Sequence, residues 1–204
     1  MKVFNTLLRS TVELNPSICH MLSRYLKEKQ GLETTSLYYE GNLVGVRSDK
    51  SINAQKIKLS LDETEICFKT FNRDILENLN CYESDKTYSF LIKLSYGPVP
   101  AGKRRMEKIV WGNQIKGTKT FSQKKVYKNF HIYLERKLGV TQIENLDVCE
   151  ISGFQLNDKY HHDKCFYVSF KGNISEKDIF DKTYLTGFGS HKSYGFGLVK
   201  VGDA

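Results

Sequence analysis

The six residues Gly97-Pro98-Val99-Pro100-Ala101-Gly102 hold two of the chain's three prolines. Proline lacks the backbone donor that helices and sheets use, and glycine gives the backbone excess freedom, so a regular element stops here. The stretch reads as a linker at 97–102 between a first domain over 1–96 and a second over 103–204. Just before it, Tyr88 to Leu94 is a strand, with Tyr88, Phe90, Ile92 and Leu94 on one face. Further back, residues 2–9 read as a strand. Asn15 is a good N-cap and Pro16 suits a first helical position, and Ile18, Met21, Leu22, Tyr25 and Leu26 then follow at the spacing of an amphipathic helix. Residues 36–47 form an expected hairpin turning at Gly41-Asn42, 64–71 an expected strand and 72–80 an expected short helix.

Beyond the linker, two β-like arms around Gly112-Asn113 and Gly117 make a long hairpin of 103–121. A helix from Ser122 to Leu138 follows and stops at Gly139, with Val126, Phe130, Tyr133 and Leu134 along one face. Strands are expected at about 147–155 and 164–171, with Phe166, Val168 and Phe170 as core. Ser175 is the expected cap of a second helix, with Asp178 placed as in a capping box. A short strand, Leu198 to Val201, ends the chain. Each half approximates strand, helix, two strands, short helix, strand, the order of the split βαβ unit. The expected fold class is therefore α+β, two tandem ferredoxin-like (RRM-like) βαββαβ domains, the second bearing the hairpin and a Gly-rich loop.

Charge placement says more than charge total. The net charge is +8 over 204 residues, from 31 basic and 23 acidic side chains. Eleven of those cations (Lys103, Arg104, Arg105, Lys108, Lys116, Lys119, Lys124, Lys125, Lys128, Arg136 and Lys137) fall within 101–140, against Glu107 and Glu135 alone. That segment carries +9 and the remainder −1, a local excess that a polyanion neutralises well. No run approaches the roughly 18 apolar residues of a membrane helix, and the start of the chain is too interrupted for a signal peptide. Five cysteines, an odd number without a Cys-x-x-Cys pair, argue for reduced thiols in a cytoplasm, against a disulfide framework or zinc knuckle. His161-His162-Asp163 lacks a partner at metal-ligand spacing, so no metal is expected.

Two places offer chemistry. With Ile18 at 0° and about 100° per residue, the apolar stripe of the first helix centres near 10°, which leaves His20, Arg24 and Lys27 together on the opposite side. Near a helix N-terminus and beside two cations the neutral imidazole is favoured, which suits a proton acceptor. The other place is the run Gly187-Phe188-Gly189-Ser190-His191-Lys192-Ser193-Tyr194-Gly195-Phe196-Gly197. A nucleotide-triphosphate loop needs Gly directly before its Lys, where this chain has His191, and too few residues remain for the helix that should follow. What is left is a loop of glycines with one Lys and one His, suited to close approach to a backbone or a phosphate chain.

That run resembles the C-terminal signature of CRISPR RNA-processing endonucleases, Gly-x-Gly-x-x-Lys-(Ser/Ala)-x-Gly-x-Gly followed by apolar residues. Gly187, Gly189, Lys192, Ser193, Gly195 and Gly197 fill it. The basic hairpin, the helix ending Leu134 to Gly139 and the Phe170-Lys171-Gly172 stretch extend the likeness, most closely to the CasE (Cse-three) branch, a subunit of the Cascade surveillance complex. The resemblance implies binding of the stem-loop of a CRISPR repeat and cleavage at the 3′ base of the stem. It implies no metal or small-molecule cofactor, a 2′,3′-cyclic phosphate (or 3′-phosphate) and 5′-hydroxyl as products, and retention of product beside other Cascade subunits. His20 stands where the family's catalytic histidine is expected, as base or acid, with Arg24 or Lys27 near the phosphorane. The hairpin 103–119 would enter the RNA groove while Lys124, Lys125 and Lys128 track the backbone. Many relatives carry Tyr three residues before the histidine; here Ser17 occupies that position, so Ser17 or a nearby Tyr (25, 38 or 39) substitutes, and His191 is a second candidate acid. A non-catalytic RNA-binding subunit on the same fold is the rival expectation.

Overall fold

The computed structural model describes residues 2–33, 35–76, 82–83, 86–96, 123–155, 162–189 and 192–204. The expected linker 97–102, the basic hairpin and His191 lie outside them; of the polar loop expected over 157–163, residues 157–161 lie outside them too, and His162 and Asp163 begin a strand. The chain forms two compact units, Met1–Tyr82 with Asp181–Val199, and Glu83–Phe180 with Lys200–Ala204.

In the first unit, β1 (Val3–Ser10) leads to helix α1 (Pro16–Gln30), then to the hairpin β2 (Thr35–Glu40) and β3 (Leu43–Ser48). Asn15 caps α1 as expected, its Oδ1 accepting from the Ile18 amide at 2.9 Å. A 3-10 turn at Ala54–Lys56, β4 (Lys58–Leu61) and β5 (Thr64–Leu76) complete a five-stranded sheet in the order β2-β3-β1-β5-β4. Ile18, Leu22 and Leu26 of α1 are buried with Leu8, Leu37, Val44, Ile66 and Phe68 of the sheet. Each such side chain contributes roughly 1.5–3 kcal/mol on leaving water.

The second unit begins with β6 (Thr87–Tyr96). Helix α2 (Gln123–Leu138), strands β7 (Val140–Gln155) and β8 (His162–Ile174), helix α3 (Lys177–Thr186) and β9 (Val199–Asp203) follow, with α3 and β9 running through the division between units. Its sheet has the order β7-β8-β6-β9. Strand, helix, strand, strand, helix, strand with the first strand between the third and the last is the ferredoxin-like arrangement. The first unit keeps the same order through β2-β3-β1-β5, with the 3-10 turn and β4 where a second helix would stand. The fold is α+β, two ferredoxin-like units in tandem. The apolar face expected for 88–94 forms, since Tyr88, Phe90, Ile92 and Leu94 are all buried, and Phe90 stacks on Phe170 at 4.7 Å.

Three expectations change. Residues 72–76 are strand instead of helix, because β5 lies along β1 from Ser10↔Phe68 to Val3↔Leu76, and a non-local pairing outweighs local preference. With that edge of β1 taken, β6 finds its partner in β8, from Thr87↔Asn173 to Tyr96↔Lys164, and belongs to the second unit, where the sequence puts it in the first. The Gly-rich loop moves the other way: expected in the second domain, it lies in Asp181–Val199 of the first unit. Among the described residues no helix is long and apolar enough to cross a membrane.

Candidate functional site

Helix α1 buries more than its apolar stripe. Cys19 and Ser23, on the flank nearest His20, are also buried, because the C-terminal segment lies over them. Glycine is required for this approach. At Gly195, with φ of +88°, a Cβ would run into the Tyr39 ring. At Gly197, with φ of +83°, it would meet the Phe188 carbonyl, whose amide in turn donates to the Gly197 carbonyl at 2.6 Å.

The segment so seated brings a short 3-10 turn, Lys192–Tyr194, to α1. His20 Nδ1 and Ser193 Oγ come within 3.1 Å across 173 positions of sequence. Tyr194 lies flat on the imidazole, ring centroids 4.4 Å apart and planes inclined by 9°. One imidazole nitrogen is thereby occupied and the ring plane fixed, which leaves Nε2 as the atom to meet a substrate.

Ser193 also borders an open cleft of about 220 Å³ lined by Ser23, Lys27, Glu33, Thr35, Thr186 and Lys192. The Lys192 ammonium, whose Nζ donates to the Gly187 carbonyl at 3.1 Å, is pushed below its ordinary pKa by burial and by repulsion from Lys27. Thr35 Oγ1 is buried without a hydrogen-bond partner among the described residues. Two mutually repelling ammonium groups and an unpartnered hydroxyl, with the single carboxylate of Glu33 at the same opening, leave a net positive charge that an oxyanion matches.

A buried cation holds the segment at both ends. Arg47 of β3 donates through Nη1 to the carbonyls of Tyr184 at 2.8 Å and Val199 at 2.9 Å, and through Nε to Asn5 Oδ1 at 2.8 Å. Its guanidinium lies 3.3 Å from the Tyr184 ring centroid, and burial pushes its pKa down from the usual arginine value. Tyr184 and Val199 flank the Gly-rich run on either side, so one side chain fixes where the loop leaves and where it returns.

Of the expected site residues, His20 and Ser193 come into contact, and Ser193, Lys192 and Lys27 line one cleft. Gly187, Gly189, Gly195 and Gly197 all take positive φ and shape the loop. Arg24 points elsewhere, exposed and paired with Glu28 at 2.7 Å. Ser17 is half-buried in the first turn of α1, and no hydrogen bond joins it to His20 among the described residues. Of the tyrosines named as substitutes, the Tyr25 hydroxyl donates to the Lys56 carbonyl, Tyr38 donates to Glu40, and the Tyr39 ring lies against Gly195 and edge-on to Phe196 of the Gly-rich run. The aromatic partner of His20 is Tyr194, present in the quoted run but read there only as a spacer between glycines. Arg47 left a fainter signal, a cation in a strand opposite the small polar residues Ser36 and Asn5. Lys103, Arg104, Arg105, Lys108, Lys116 and Lys119 lie outside the described residues. Lys124, Lys125 and Lys128 fall within α2.

No family model and no curated protein matches the sequence. Solved structures do match in fold. Among them are Thermus thermophilus Cse3 bound to an RNA representing a pre-cleavage complex, 15% identical over 99% of this chain and 100% of that one with a TM-score of 0.65, and the CRISPR-associated protein Cas6e from Escherichia coli K-12, 15% identical over the whole of both chains with a TM-score of 0.57. A chain of a CRISPR RNA-guided surveillance complex matches at 13% identity over 98% of this chain and all of that one, with a TM-score of 0.56. At these identities the likeness establishes the tandem ferredoxin-like fold that this chain has in common with CRISPR endoribonucleases.

Proposed function

We propose that this chain is a CRISPR precursor-RNA endoribonuclease of the CasE branch. It binds the repeat stem-loop, cuts at the 3′ base of the stem without metal or cofactor, and keeps the product within a Cascade-type assembly. The observation that carries the reading is the contact of Ser193 and Tyr194 with His20 at the lip of a cleft lined by Lys27 and Lys192, with Glu33 as its one carboxylate. Its support is chemical as well as comparative. Attack of a ribose 2′-hydroxyl on the adjoining phosphate needs a group to take the hydroxyl proton and charge to stabilise the phosphorane. His20, held through Nδ1 by Ser193, takes the proton at Nε2. Lys27 and Lys192 face the non-bridging oxygens. The 5′-oxygen leaves with a proton from an acid on the same loop, for which Tyr194 and His191 are the candidates, and a 2′,3′-cyclic phosphate remains. The basic segment 103–128 grips the stem, so binding weakens steeply with salt as counterions are released.

The test uses a labelled repeat hairpin with excess protein in EDTA, beside an RNA carrying a single 2′-deoxy nucleotide at the cut. One cut in the first and none in the second, slowed about 10²- to 10⁴-fold by His20→Ala, is the expected result. Cleavage of the deoxy RNA or full activity of His20→Ala overturns the mechanism. Tight binding with no cut in either RNA favours the non-catalytic subunit, the reading that Ser17 in the usual tyrosine position suggests.

A further inference from the structure

We propose that the sheet of the first unit carries a seat for an unpaired RNA nucleotide, its base stacked on Phe71 and its phosphate held between Arg9 and Lys69. The inference rests on the reading of the chain as an RNA-binding protein and adds to it a surface away from His20.

Phe71 is 55% exposed, more than any other large apolar side chain among the described residues. Its position has a structural cause. Leu7 of β1 pairs with Asn72 and Leu8 with Thr70, so Phe71 is the extra residue of a β-bulge, a device that re-aims a side chain. The Arg9 guanidinium sits over the ring, 4.5 Å from its centroid. Leu8 and Phe68 enter the core with α1, so strand alternation puts Arg9 and Lys69 on the opposite face.

Arg9 and Lys69 are direct cross-strand partners, and both are exposed. Like charges in that relation repel, and neither makes an ion pair among the described residues. An anion between them removes the repulsion, and the half-exposed Phe71 ring, capped on one face by the Arg9 guanidinium, offers a base a surface to stack on. A nucleotide supplies both, as phosphate and base. Aromatic rings flanked by Arg and Lys are the usual means of holding single-stranded RNA without reading its sequence. An acidic peptide would neutralise the cations and leave the Phe71 ring in water.

The experiment compares two RNAs, the repeat stem-loop alone and the same stem-loop with flanking unpaired nucleotides that include 2-aminopurine. Wild-type protein should bind the extended RNA more tightly and quench the 2-aminopurine. Phe71→Ala should lose about 5- to 100-fold in affinity for the extended RNA with its quenching, and keep its affinity for the bare stem-loop. Phe71→Trp, which preserves a stacking surface, should keep both. The seat is overturned if wild type and Phe71→Ala bind both RNAs equally. It is overturned also if Phe71→Ala disturbs only assembly with protein subunits, which would make the patch a protein interface. Failure of wild type to prefer either RNA over an unrelated hairpin overturns instead the function proposed above.

Discussion

The two units share one strand order and use it differently. The second follows the ferredoxin plan with two helices and an aromatic interior, in which Phe90 stacks on Phe170 and meets Phe180 edge-on. The first departs from the plan. It has no second helix between β3 and β5 among the described residues, it takes in the distant segment 181–199, and it buries Arg47 to hold that segment. The candidate site gathers in the unit that departs. A regular sheet and helix satisfy their own backbone groups and leave little to bind with. A loop pinned by glycines and one arginine presents a hydroxyl, a ring and an ammonium to the polar side of a helix that would otherwise face water.

The sharpest way to break this contrast is to add the same methyl group in each unit. Gly195 in the first unit and Gly139 in the second both hold positive φ, and a Cβ at Gly139 would crowd the Glu176 backbone. Either alanine should lower the melting temperature. Only Gly195→Ala should also slow single-turnover cleavage of bound RNA, by about 100-fold, since displacing a reacting group by about 1 Å costs that much. Equal slowing by Gly139→Ala, per folded molecule, would show that the site depends on both units alike.

Arg47 tests what holds the loop. Hydrogen bonds from a charged donor contribute roughly 1.5–3 kcal/mol each, set against the cost of burying the guanidinium. Arg47→Met should therefore lose on the order of 3 kcal/mol in urea unfolding. Arg47→Lys, which keeps the charge but not the fork that spans two carbonyls, should fall between it and wild type. A neutral Arg47→Met would mean that the glycines alone seat the segment.

Much of this was legible in the sequence, for reasons that also explain the misses. The cap at Asn15, the period of α1, the turn at Gly41-Asn42 and the alternation from Tyr88 to Leu94 are local signals, and the structure keeps each. The assignment of 72–76 and the sheet to which β6 belongs depend on which edge of β1 is filled, a choice made between residues some seventy positions apart. At the site, His20 was legible as the odd residue on a polar helix face and Lys192 and Ser193 from their place in the glycine pattern. Tyr194 and Arg47 were not, because each matters only through partners far along the chain. A strand residue such as Arg47 shows its burial only once Tyr184 and Val199 are packed against it.

Lys192 offers a smaller effect with a definite sign. Burial and Lys27 lower its pKa, so the folded protein gives up this proton before the ordinary value of 10.5 is reached. Between the lowered pKa and 10.5 the unfolded chain binds more protons, and this group's contribution to stability rises with pH. Binding of an RNA phosphate needs the charged form and should fall across the same alkaline window. Lys192→Arg, charged throughout, should flatten that limb of the affinity profile while leaving neutral-pH affinity within a few-fold of wild type. An unchanged alkaline limb would remove Lys192 from the phosphate's surroundings.

Ser193 sets the finest distinction, between positioning and binding. Its hydroxyl reaches the nitrogen of His20 that the proposed mechanism does not use, so Ser193→Ala should leave the ring stacked on Tyr194 but free to sample the wrong tautomer. One hydrogen bond of about 1 kcal/mol corresponds to roughly a five-fold loss in the cleavage rate of bound RNA, with affinity unchanged. Ser193→Thr retains the hydroxyl and should recover most of that loss. If affinity fell and the rate of bound RNA held, Ser193 would belong to the walls of the cleft, and the orientation of His20 would rest on the Tyr194 ring alone.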